Sequence, residues 1–155
     1  MNVNQIIDYC IDLDFYPLQN YAGKNFNVVY DHVKNNTTVK PNDLLIPTIF
    51  TCIAANGRFS EREWDFVAHF IGNYSYNEAF DMASEFNCQQ ARDIVKGLVE
   101  KLPANVSEAL VCMCIAVLCV DKRLDGEEVA FLRTLLLLQL FCIVKTTNFN
   151  KKALL

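Results

Sequence analysis

Four carboxylates beside two short interhelical linkers are the residues of this chain best suited to bind a ligand. Asp121, Asp125 and Glu128 fall in one short segment, and Glu63 holds the equivalent place after an earlier linker. Carboxylate oxygens gathered at a turn are the ligands that calcium and magnesium prefer. The pattern therefore predicts a divalent-metal site at Asp121, Asp125 and Glu128.

The same residues have a structural interpretation. Ser60 is followed three positions later by Glu63, and Asp125 by Glu128, which is the spacing of a capping box, where two side chains satisfy the free backbone donors of a helix start. Calcium requires six to eight oxygens, and Arg123 stands where an EF-hand loop would supply one. We therefore expect capping to be the main role of these residues, and weak calcium or magnesium binding a secondary one.

Groups suited to catalysis are few. Only His32 and His69 have an imidazole, and neither lies in a known catalytic pattern. The sequence has no Gly-rich phosphate loop, Cys-x-x-Cys, His-Glu-x-x-His or Gly-x-Ser-x-Gly motif. We predict a protein that is not an enzyme, with no catalytic residues and no organic cofactor.

An internal repeat places the two linkers in equivalent surroundings. Residues 56–63 correspond to residues 121–128 at an offset of 65 positions. Each segment follows an apolar arm and precedes an amphipathic arm with aromatic or branched residues at helical spacing. The repeat predicts two similar helical hairpins that face one another and share a core.

Helix-start signals recur along the chain, and no segment shows the alternation of a strand. The capping pairs are Ser60 with Glu63, Ser75 with Glu78, Asn87 with Gln90, Asn105 with Glu108, and Asp125 with Glu128. We predict a single all-α domain, a bundle of about seven or eight helices. The predicted helices lie near 3–14, 24–34, 43–55, 61–71, 76–86, 88–102, 106–120 and 126–144. Pro47 predicts a later start or a kink in the third helix.

We call residues 56–63 the first corner and residues 121–128 the second corner. The two corners resemble the TerB-like family of tellurite-resistance proteins, whose motif places small residues before Asp-Gly-x-Ile or Leu and a later Glu. The second corner matches it with Asp121 and Glu128, and the first with Glu63 alone, because Asn56 replaces the aspartate. Lys122 replaces a glycine and adds a positive charge beside the predicted metal position. The resemblance implies an all-helical bundle of two related halves and a role in stress-response or membrane-associated assemblies. It also implies that acidic corner residues, here Asp121, Glu128 and Glu63, bind divalent metal.

The resemblance divides the chain into three parts. Residues 1–41 form an N-terminal helical segment packed on the core, residues 42–145 form the TerB-like domain, and residues 146–155 form a frayed tail. The predicted function is a non-enzymatic interaction or scaffold module of the stress response. The alternative is a metal-dependent sensor, in which a cation at Asp121, Asp125 and Glu128 reorients the last helix.

Composition limits the partners and the location. A net charge of -4 without a basic stripe argues against nucleic acid as a binding partner. No secretory signal opens the chain, so we expect a cytoplasmic protein.

The seven cysteines show no disulfide spacing and are predicted to be buried thiols. The apolar runs are shorter than a membrane span. Residues 131–144 are apolar on nearly every side, which predicts contact there with a protein partner or a second copy of the chain.

Overall fold

The structure is a computed structural model that describes residues 2–54, 58–85, 93, 96–98 and 100–134. The helices with described bounds are α1 (Val3–Asp12), α2 (Phe15–Asn36), α3 (Pro41–Ala54), α4 (Glu61–Ile71), α5 (Tyr76–Glu85), α6 (Ala104–Leu118) and α7, whose described part is 126–134. Residues 93 and 96–98, between α5 and α6, are helical as well. A 3-10 turn, Cys119–Asp121, continues α6. The prediction of an all-α bundle of seven or eight helices is confirmed, and the described segments contain no strand.

The second helix differs most from its prediction, because it begins at Phe15 instead of near residue 24. Pro17 is tolerated because it falls in the first turn, where a backbone N–H has no helical partner. Gly23 is tolerated because it allows a close approach: a Cβ there would lie 3.2 Å from Cε1 of Phe70 in α4. The buried stripe of α2 consists of Leu18, Ala22, Phe26, Val29 and Val33.

The third helix also begins earlier than predicted. It starts at Pro41, where the missing N–H of proline costs nothing, and it continues through Pro47 to Ala54. The expectation that Pro47 delays the start was wrong. The hydroxyl of Thr48 donates to the carbonyl oxygen of Leu44 at 2.8 Å within the same turn.

Helix α6 is the centre of the molecule. Every residue from Ala109 to Leu118 is buried, because a helix that is apolar on all sides must be surrounded by other elements. Helices α1, α2 and α3 pack against it, so the N-terminal segment and both halves of the repeat contribute to one core.

Helix α6 and the 3-10 turn that follows it form one continuous helical segment. Ala104–Asp121 is 18 residues long and apolar enough to cross a membrane by length and composition, while 78% of that window is buried inside the protein. The same length and hydropathy are found in core helices of proteins without a membrane span.

Apart from the start of α7 in the second corner, three predicted helix starts lie in the described residues. The box at Ser60 and Glu63 is present, and Ser75 accepts from the Glu78 N–H at 3.3 Å while Glu78 bonds back to Ser75. The predicted cap at Asn105 was wrong, since α6 starts at Ala104 with Pro103 as its flanking residue. The pair at positions 87 and 90 lies in a part of the chain that the structure does not describe.

Both repeat units are helical on either side of their corners. Helices α3 and α4 form the first unit, and α6 and α7 the second. Phe66 and Val67 of α4 are buried, and so are Phe131 and Leu132 at the matching positions of α7. Residues 55–57, which include Asn56, and residues 135–155, which include most of the predicted apolar interface and the tail, fall outside the described ranges.

The cysteine prediction is confirmed for the described residues. Cys10, Cys52, Cys112, Cys114 and Cys119 are buried and in the free thiol form. Burial raises the pKa of the Cys10 and Cys119 thiols to about 12. Because the thiolate is the reactive form of cysteine, these thiols are chemically protected in the folded protein.

Candidate functional site

The two corners meet at one cavity of about 360 Å³. All four predicted metal-binding residues line it. The complete lining is Arg58, Phe59, Ser60 and Glu63 from the first corner and Asp121, Arg123, Leu124, Asp125 and Glu128 from the second. We call this space the corner cavity, and the repeat brings matching residues of both corners to it.

The first corner is closed by a complete capping box. The backbone N–H and the hydroxyl of Ser60 donate to Oε2 of Glu63 at 2.7 and 2.9 Å. The N–H of Glu63 in turn donates to Oγ of Ser60 at 3.1 Å. The Glu63 carboxylate therefore holds the start of α4, which was the structural role expected from its spacing.

The second corner repeats this arrangement with an aspartate as the cap. Oδ1 of Asp125 accepts the N–H groups of Glu127 and Glu128, both at 3.0 Å. Oε2 of Glu128 accepts the N–H of Asp125 at 2.7 Å. Asp125 and Glu128 therefore hold the start of α7 in the way that Ser60 and Glu63 hold α4.

Glu63 and Glu128 are both only 6% exposed. Burial raises the pKa of Glu63 to about 7, against the opposing effect of the two hydrogen bonds from Ser60. The negative charges of Asp121 and Glu128 raise it further. The first corner therefore contains a carboxyl group that titrates near neutral pH.

Asp121 forms an ion pair with helix α4. Its Oδ1 lies 4.0 Å from Nε of Arg62. The same Nε donates to the carbonyl oxygen of Val120 at 3.1 Å, and the guanidinium lies 5.3 Å from the ring centre of Phe15. Arg62 thus joins α4, the second corner and the start of α2. The role of Arg62 could not be predicted from the sequence, because its partners are far away in the chain.

Lys122 does not bring its charge into the corner cavity. Its backbone is left-handed, with φ 61 and ψ 15, the region that favours the glycine of the TerB-like motif. Its ammonium donates to the carbonyl oxygen of Ile11 at 2.9 Å and also to that of Leu13. These carbonyls belong to the end of α1, where backbone acceptors lack helical partners. Lys122 therefore caps α1, and it is not among the residues that line the corner cavity.

The fit to a metal ion is limited by the hydrogen bonds of the two boxes. Oxygens of Glu63, Asp125 and Glu128 already accept backbone donors. Within the described ranges, no group of three or more His, Cys, Asp or Glu residues is arranged to hold a metal ion. The carboxylates converge on one cavity, but the geometry shown is that of capping.

The two histidines lie apart from the corner cavity. The Nδ1 atom of His32 is 3.5 Å from the carboxamide nitrogen of Asn36 on the surface of α2. His69 lies in α4 and lines a separate groove against α2. The histidines therefore belong to different surfaces and do not form a common acid–base pair.

Searches with protein-family models, curated proteins and solved structures find no match to this chain. The likeness of its corners to the TerB-like motif consequently remains a prediction from the sequence.

Proposed function

We propose that this protein is a non-enzymatic interaction module, of the stress-response kind that the TerB-like motif implies, and that it binds a protein partner at the rim of the corner cavity. The observation that carries the proposal is the convergence of both corners on one cavity. Matching arginines, Arg58 and Arg123, line it and are exposed. Arginine is enriched at the energetic centres of protein interfaces.

The acidic residues of the cavity support this role because they fix the backbone around it. Glu63, Asp125 and Glu128 hold the starts of α4 and α7 through backbone hydrogen bonds. Residues fixed in this way form a rigid wall beside the two exposed arginines. A rigid surface binds a partner with less loss of conformational entropy than a flexible one.

The test is a comparison of partners retained by the full-length chain and by an R58E/R123E variant. We expect that some proteins co-purify with the wild type after chemical cross-linking and that the same proteins do not co-purify with the variant. An R133E variant is the control, because Arg133 is also exposed but does not line the cavity. Equal retention by wild type and R58E/R123E would contradict the proposal.

A metal-dependent sensor is the second candidate. It is favoured by the convergence of Asp121, Asp125, Glu128 and Glu63 on the same cavity, and by the direction of the Lys122 ammonium toward α1. It ranks second because the carboxylate oxygens accept backbone donors and no ready metal-binding group exists among the described residues.

The sensor hypothesis predicts that calcium or magnesium raises the melting temperature, since a ligand of the folded state stabilises it by mass action. The variant D121A should lose the increase, because Asp121 is the carboxylate that takes no part in either box. An unchanged melting temperature at millimolar metal would remove the hypothesis.

A further inference from the structure

A second cavity, of about 440 Å³, lies between α2 and α4 and has a composition unlike that of the corner cavity. We call it the α2/α4 groove. Asn20, Lys24 and Asn27 line it from α2, and His69 lines it from α4. All four of these residues are exposed, so the groove is open to a macromolecule.

The charge of the groove is opposite to that of the chain. The protein has 18 acidic and 14 basic residues, yet no Asp or Glu is among the described residues that line the groove. Lys24 provides a positive charge, and the imidazole of His69 provides a donor on the other side. Asp65 lies one helical turn before His69 but does not line the groove.

The remaining polar groups are carboxamides, which can bond both to a carboxylate and to a peptide backbone. Gln19, Asn20 and Asn27 all line the groove. The carboxamide of Gln19 is held in place, because its Nε2 donates to the carbonyl oxygens of Phe66 at 3.0 Å and Asp65 at 3.4 Å. Because its amide hydrogens are used in this way, Gln19 has Oε1 left as an acceptor for a peptide N–H. This group is fixed before any ligand arrives, which reduces the entropy lost on binding.

The dimensions suit an extended peptide. The α2 side of the groove runs from Asn20 to Asn27, and at a rise of 1.5 Å per residue this is about 10 Å. An extended chain rises by about 3.3 Å per residue, so about three residues fit along the groove. Gly23 lies midway along this side, where the ring of Phe70 approaches its backbone.

We propose that the α2/α4 groove docks an acidic peptide segment of a partner protein, with Lys24 and His69 facing its carboxylates and the carboxamides bonding its backbone. This site does not depend on the corner cavity or on the partner proposed there. The two proposals fail independently, because the substitutions that test them lie in different cavities.

The test uses a short N-acetylated, C-amidated peptide of alternating Glu and Ser, titrated into the isotopically labelled full-length chain at low ionic strength. We expect the side-chain amide resonances of Gln19, Asn20 and Asn27 to shift with a common binding curve. A matched peptide with Gln in place of Glu should bind at least about ten-fold more weakly, a difference of about 1.4 kcal/mol. Equal binding of the two peptides would overturn the proposal.

The variants K24E and K34E separate a specific groove from general attraction. Both lysines are exposed on α2, but Lys34 lies ten residues further along, about 15 Å by helical rise. We expect K24E to weaken binding of the Glu peptide about ten-fold and K34E to change it less than about two-fold. Equal losses would show attraction by net charge alone and would overturn the proposal.

Free glutamate is the final arm of the experiment. If it shifts the same resonances with the affinity of the peptide, the groove is a small-carboxylate site and the peptide proposal is wrong. Circular dichroism melting of both variants verifies that each is folded, which we expect because the substituted positions are exposed.

Discussion

Replacement of Glu63 by glutamine should remove a large part of the pH dependence of stability. Glu63 is only 6% exposed, and burial raises its pKa from an ordinary value of 4.5 to about 7. A pKa that is higher in the folded state contributes stability that is complete below pH 4.5 and is lost as pH rises through 7. Since each pKa unit corresponds to 1.36 kcal/mol, the loss for this group is about 3 kcal/mol.

Glutamine tests this reasoning because it keeps the shape and the acceptor oxygen of Glu63 but cannot ionise. The free energy of unfolding of the wild type, measured with urea between pH 4.5 and pH 8, should fall relative to that of E63Q by about 3 kcal/mol. Other titrating groups are common to both proteins, so the difference isolates Glu63. A carbon-13 titration of the Glu63 carboxyl would give its pKa directly.

Glu78 is a matched control, because it occupies the same place in a box with Ser75. Its hydrogen bonds from Ser75 lower its pKa, and its side chain is on the surface. The difference between wild type and E78Q should therefore have the opposite sign, with the contribution of Glu78 lost as pH falls. Parallel pH curves for wild type and E63Q would refute the argument that burial dominates at Glu63.

Two other predictions follow from Lys122 and from the cysteines. K122A should destabilise the protein by about 1 to 2 kcal/mol, because two carbonyls of α1 lose a charged donor. K122G should recover about 1 kcal/mol of this loss in urea unfolding, since φ is 61 at this position. If K122G is no more stable than K122A, the left-handed backbone at residue 122 does not favour glycine and the reasoning is wrong. Iodoacetamide followed by peptide mass mapping should label Cys10, Cys52, Cys112, Cys114 and Cys119 only at the rate of unfolding, because all five are buried. Rapid labelling of any of them in the native protein would contradict the buried packing around α6.

Local signals in the sequence were sufficient to predict several helix starts. Ser60 with Glu63, Ser75 with Glu78, and Asp125 with Glu128 were predicted correctly, because a capping box involves only residues three positions apart. Asn105 failed because Pro103 precedes it closely, and α6 starts directly after that proline. The same signal thus fails where a neighbouring residue offers an alternative start.

The start of α2 could not be predicted from local rules. Pro17 is compatible with a helix only in its first turn, and Gly23 weakens a helix in isolation, yet α2 includes both residues. Its buried stripe packs against α6, and Gly23 meets Phe70 of α4. These tertiary contacts outweigh the small local cost, because burial of five apolar residues contributes several kcal/mol.

The amino-acid sequence by itself determined the helical class, the repeated hairpins, the buried thiols and the choice of Glu63, Asp125 and Glu128 as residues of the corners. These follow from periodicity and from contacts within a few positions. Only the tertiary structure decided that both corners line one cavity, that Arg62 contacts Asp121, that Lys122 caps α1, and that Glu63 titrates near neutral pH. The physical reason is that burial and electrostatic fields depend on residues distant in sequence, and their effect exists only after the helices have packed.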